Sequence, residues 1–186
     1  MFRRLAGMLC CLVLGSPLAA TAAPDCSLGH PARCATVNAV PQSELAAAVT
    51  RFVGSERVDY FRAGRPVAEQ AMRGLGGPPD RVVQLPGDRF LFSACPPHDC
   101  GGNAVALIVA GDGRVLALGF SSFHCGRQCD IERRHLDFYV PQSGDAAQLV
   151  GWLTEWARGP RVASLVFRPS VDDGLEGRVA IHRVPG

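Results

Sequence analysis

Residues 95–122 read "CPPHDCGGNAVALIVAGDGRVLALGFSS". The second half of this stretch decides the fold. Two apolar runs, "AVALIVA" and "RVLALGFSS", flank a Gly-Asp-Gly, and glycine supplies the positive φ that tight hairpin turns need. The runs show almost no polar alternation, so the sheet they enter is expected to be covered on both faces. The first half hangs a six-residue, cysteine-bracketed loop on the start of that hairpin, with His98 and Asp99 inside it.

Upstream, "RVVQL", a turn at "PGD" and "RFLFSA" predict two more strands. Leu45, Val49, Phe52 and Val53 recur at helical spacing from Gln42 or Ser43, just after Pro41, and Gly54 fits a stop. A second helix is expected from about Pro66 to Arg73, with proline in its first turn and "GLGGPPD" after it. Residues 25–40 read as a loop-like lead. Downstream, "HLDFYV" suits a short strand. Asp145 is placed to cap a helix running to about Arg158, with Leu149, Val150, Leu153 and Trp156 on one side and Gly159-Pro160 as its stop. The tail offers two more strands, "RVASLVF" and "RVAIHRV", joined by the polar "RPSVDDGLEG". The fold class is α+β, an antiparallel sheet of about five strands flanked by helices.

The N-terminus, "MFRRLAGMLCCLVLGSPLAATAAPDC", has the parts of a secretory signal peptide. Arg3 and Arg4 precede a short apolar core, and Ala20-Thr21-Ala22 offers a cleavage site. The apolar run is too short for a membrane span. Neither Cys10 nor Cys26 follows the small residues that a lipoprotein signal needs. Residues 1–23 are therefore expected to be removed, leaving residues 24–186 as one domain with a real core. Loss of Arg3 and Arg4 takes the basic count from 19 to 17, equal to the 17 acids. A near-neutral chain has no global field for nucleic acid or anionic lipid.

Two of the eight cysteines leave with the signal. The remaining six fall in three close pairs, and export favours disulfides. Nearest-neighbour bonding gives Cys26–Cys34, Cys95–Cys100 and Cys125–Cys129. Redox catalysis usually needs C-x-x-C at a helix start, whereas Cys95 and Cys100 enclose four residues, two of them proline. Zinc could draw on Cys95, Cys100, Cys125 and Cys129, with His98 or His124 as substitutes, but exported thiols tend to oxidise first. There is no G-x-S-x-G, no H-E-x-x-H and no glycosidase carboxylate pair. Adjacent His98 and Asp99 lack a nucleophile, so nothing points to an enzyme or a cofactor. Two readings stand level on the residues alone. The loop is a stapled connection, or the staple presents His98 to a partner. Pro96 and Pro97 fix two φ angles, and closing a six-residue ring is worth roughly 2 kcal/mol in the chain-entropy model. Both lower the cost of docking.

"CPPHDC" followed by an apolar strand, Gly-Asp-Gly and a second apolar strand resembles the Ivy family, inhibitors of vertebrate lysozyme from the bacterial periplasm. Its signature is a protruding disulfide-closed C-K-P-H-D-C loop. The likeness is strongest over residues 82–120 and weaker in the N-terminal helix and in "DAAQLVGWLTEWARG". The resemblance implies a helix–sheet–helix sandwich and a mechanism. The loop Cys95, Pro96, Pro97, His98, Asp99, Cys100 would enter the enzyme cleft, with His98 meeting the two catalytic carboxylates and Asp99 supporting the contact. The partner is expected to be a C-type lysozyme or another peptidoglycan-cleaving muramidase, the cell's own lytic transglycosylase included. The competing class is a secreted disulfide-stapled or zinc-binding module whose loop is structural only. The resemblance also allows a homodimer. Two features depart from the pattern: Pro96 stands where the family has lysine, and "SSFHCGRQCDIERRH" carries the additional pair Cys125–Cys129, expected to staple a local turn. His124 reads as incidental, and His30, His135 and His182 have no visible constellation. Trp152 and Trp156 read as packing.

Overall fold

The structure, a computed structural model, describes residues 25–142 and 144–185. The expected leader lies outside the described residues. In chain order the helices and strands are α1 (Gln42–Val53), β1 (Arg57–Val58), β2 (Arg65–Pro66), α2 (Val67–Leu75), β3 (Val83–Leu85), β4 (Arg89–Ala94), β5 (Ala104–Ala110), β6 (Val115–Ser122), β7 (His135–Pro141), α3 (Ala146–Arg158), α4 (Pro160–Ala163) and β8 (Val179–Val184). β1 and β2 form a two-stranded ribbon.

The main sheet has six strands in the order β3-β4-β5-β6-β7-β8. That is one more than expected. Neighbours from β3 to β7 run antiparallel, but β8 lies parallel to β7. The chain crosses from β7 to β8 through α3 and α4, as parallel pairing demands a long connection. The fold is α+β, as the order of elements implied.

Side-chain alternation builds two cores. Phe90, Phe92, Val105, Leu107, Val109, Leu118, Phe120 and Tyr139 face α1 and α2, where Leu45, Val49, Val67 and Ala71 meet them. Leu91, Ala106, Ile108, Ala117, Phe138 and Val140 face α3, against Leu149, Leu153 and Ala157. β5 is therefore buried on both sides, which explains its unbroken apolar run. Each such Leu, Ile or Phe contributes about 1.5–3 kcal/mol by leaving water. Gly119 on β6 leaves room for Leu153 and Trp156 of α3. Trp152 and Trp156 pack partly against that core.

Most boundaries follow local signals. α1 ends at Gly54, whose φ is +69°. Asp145 precedes α3, yet its carboxylate makes no cap hydrogen bond and instead pairs with Arg89. In the β5–β6 turn only Gly113 has a positive φ; at Gly111 the requirement is room for the Asp88 carboxylate. Residues 161–167 form no strand. Pro160 starts α4, its fixed φ suiting a first helical turn, and the chain turns on through Val166.

Candidate functional site

The turn between β4 and β5 carries the cysteine loop. Its root is held tightly. Pro79 bridges Ala94, the Asp80 N–H donates to the Ser93 carbonyl, and the Ser93 hydroxyl donates to the Asp80 carboxylate at 2.6 Å. The Cys95 N–H reaches the Pro78 carbonyl. Gly77 lies so close that a Cβ there would stand 2.2 Å from the Cys95 carbonyl oxygen and 2.7 Å from the Pro97 nitrogen. Only glycine permits that approach without displacing backbone.

Above this root, Cys95 and Cys100 are joined, with Cα atoms 5.0 Å apart. Cys95 and Pro96 are buried, while Pro97, His98 and Asp99 are exposed. The Asp99 N–H donates to the Pro96 carbonyl at 3.1 Å, making a tight turn. His98 occupies the turn with a φ of +62°, a region that non-glycine residues seldom adopt. Pro96 is thus part of the root rather than of the presented tip. At the exit, Gly102 turns the chain with a φ of +108°, whereas Gly101 accommodates the ring of Phe167.

The loop borders a groove of about 390 Å³. Its other walls are the β6–β7 connection, with Phe123, Ile131 and the bonded pair Cys125–Cys129, and the segment after α4, with Val166 and Phe167. Behind the groove, the Arg134 N–H donates to the carbonyl of the lining residue Val171. Fully buried, the Arg134 side chain gives two hydrogen bonds to the Asp172 carboxylate at 2.5 and 2.6 Å and others to the Ser121 hydroxyl and the Ala157 carbonyl. The Ser121 hydroxyl in turn donates to the Gly102 carbonyl.

The third bonded pair, Cys26–Cys34, closes the N-terminal lead away from this groove. All six cysteines of the described chain thus stand in pairs, joined as nearest-neighbour spacing suggested. Among the described residues no three His, Cys, Asp or Glu side chains are grouped to hold a metal, and no helix is long and apolar enough to cross a membrane.

The histidines beyond the loop are a correction. His124, His135 and His182 belong to one network. Asp137, its side chain only 4 % exposed, accepts His124 Nε2 at 2.7 Å and His182 Nε2 at 3.0 Å. Tyr60 and Tyr139 share a hydrogen bond at 2.8 Å, and the Tyr60 hydroxyl lies 3.2 Å from His182 Nε2. His124 stacks between Tyr60 and His135, and His135 pairs with Asp130. Burial alone would raise the Asp137 carboxyl, but the hydrogen bonds and charge of His124 and His182 hold it below the ordinary carboxylate range. The bond to Asp137 raises His182. Burial lowers His135, against the pull of Asp130. Burial drives Tyr60 and Tyr139 well above the ordinary phenol value. The sequence does carry a trace of this network: His135, Asp137 and Tyr139 alternate along one face of β7.

A model of the family described as inhibitor of vertebrate lysozyme (Ivy) matches residues 45–159. No curated protein and no solved structure matches the chain. The matched span covers more than half of the chain. It begins on the buried face of α1, takes in β3 to β7 with the stapled loop, and ends just after α3. The chain therefore belongs to the Ivy family of inhibitors of vertebrate lysozyme.

Proposed function

We propose that this protein acts in the periplasm as a plug for the active-site cleft of a C-type lysozyme or a related muramidase. The observation that carries the reading is the Cys95–Cys100 loop, which holds exposed His98 and Asp99 above a buried, hydrogen-bonded root. Such a tip enters a cleft with little ordering cost. A retaining glycosidase keeps one carboxyl protonated and one ionised about 5 Å apart. His98 inserted between them can hydrogen-bond to both, and an imidazolium there gains from their negative charge. Asp99 supports the tip, its backbone already tied to Pro96. Substrate is excluded without any turnover. The signal-like N-terminus and the paired cysteines support an exported location.

The test is inhibition of a vertebrate C-type lysozyme by the purified exported protein and its His98→Ala variant. Wild type is expected to abolish activity when in excess. The variant should need roughly 30-fold more protein, the loss of a hot spot of about 2 kcal/mol. Full enzyme activity at excess wild-type protein would sink the reading. Equal inhibition by both forms would remove His98 as the anchor.

A further inference from the structure

The tip alone is too small to bind an enzyme firmly. Only Pro97, His98 and Asp99 of the loop are exposed, whereas a stable protein–protein contact takes about 800 Å² and some 20–30 residues from each partner. Most of the contact must come from what flanks the loop. Among the described residues four large apolar side chains are exposed: Val83, Ile131, Phe167 and Ile181. Val83 and Ile181 lie on the two edge strands of the sheet. Ile131 and Phe167, at 58 % and 85 % exposure, line the same groove as His98 and Asp99.

We infer that Phe167 and Ile131 form a second anchor that docks on the apolar wall of the muramidase cleft while His98 occupies its catalytic centre. The inference rests on the loop-in-cleft reading and adds the residues that give it affinity. An exposed phenylalanine and a second exposed aliphatic beside the loop give a docking partner apolar area to bury. The occupant follows from the position. A cleft that holds sugar rings is walled largely by aromatic and apolar side chains, and the loop brings that wall against this groove.

The patch is also prepared. Arg168 donates one hydrogen bond to the Ile131 carbonyl and another to Glu132, tying the two walls together. The Arg134 N–H and the Arg178 guanidinium both donate to the Val171 carbonyl and pin the segment that follows Phe167. The Phe167 ring lies against Gly101, so the patch adjoins the loop exit. Rigid aromatic side chains are the usual anchors of an interface.

The experiment measures inhibition of a vertebrate C-type lysozyme by wild type, Phe167→Ser, Ile131→Ser, the double variant, Phe167→Leu, His98→Ala and Val83→Ser, with the melting temperature of each. Phe167→Ser is expected to inhibit about tenfold more weakly and the double variant more weakly still, at unchanged melting temperature. Phe167→Leu should recover most of the loss, and Val83→Ser should match wild type. If the double variant inhibits like wild type while His98→Ala is impaired, the second anchor is wrong and the loop reading stands. A loss with Val83→Ser as large as that with Phe167→Ser would also overturn it. A wild type without inhibitory activity overturns both.

Discussion

At the scale of single residues, Asp137 organises the chemistry that the loop does not use. It is a nearly buried carboxylate between two imidazoles, and its charge is tolerable because both are bound to it. Replacing it with asparagine keeps the shape and removes the charge. In Asp137→Asn the support that raises His182 is gone, so the His182 imidazole should titrate at lower pH than in wild type. Resonances of His182 followed through an NMR pH titration check this directly. An unchanged His182 midpoint would mean that the carboxylate does not set its charge. Legibility was uneven at this scale. His98 stands out as a candidate in the sequence because its cysteines and prolines are its sequence neighbours. The Asp137 network could not, because His182 joins it through the pairing of Tyr139 with His182 across β7 and β8. Parallel register of that kind leaves no local mark, although the alternation His135-Asp137-Tyr139 was visible on one strand.

At the scale of elements, the loop is held at its root by close packing and hydrogen bonds. Gly77 belongs to the segment "GLGGPPD", which by sequence alone marks only the end of α2. In the fold that segment lies under the loop root, with Asn38 donating to the Gly77 carbonyl at 3.2 Å. Gly77→Ala would drive a methyl into three backbone atoms of residues 95–97. We expect a loss of about 1–3 kcal/mol in urea unfolding, the usual cost of overpacking, with weakened lysozyme inhibition and an unchanged far-UV spectrum. Gly151→Ala on α3, where nothing lies within 4 Å of the new methyl, should be neutral or stabilising by up to about 1 kcal/mol. If both variants inhibit like wild type, the root does not position the tip. The helices were legible because their stops are local: Gly54 after α1 and Gly159-Pro160 after α3. Residues 161–167 have the β-branched and aromatic content of a strand, but Pro160 starts α4 in their place.

At the scale of the molecule, the sandwich was readable from the doubly apolar β5, but the parallel placement of β8 was not. That placement brings His182 beside Asp137, and the resulting pKa shifts predict an overall stability that depends on pH. His182 is raised in the fold, so its contribution is full below the ordinary histidine value near 6.5 and is lost as pH climbs through the folded value. His135 is lowered, so the fold disfavours its charge, and stability falls as pH drops below about 6.5 toward the folded value. The lowered Asp137 contributes fully above about 3.9 and is lost only as pH falls through its still lower folded value. These three contributions together predict a shallow maximum of stability near neutrality, with a decline on each side from different histidines. Urea unfolding from pH 5 to 9 should reveal it. His182→Gln should flatten the alkaline decline and leave the acid one. His135→Gln should flatten the decline between neutrality and pH 5 and leave the alkaline one. An alkaline decline of full size in His182→Gln would show that the coupling across β7 and β8 does not govern the stability of the whole molecule.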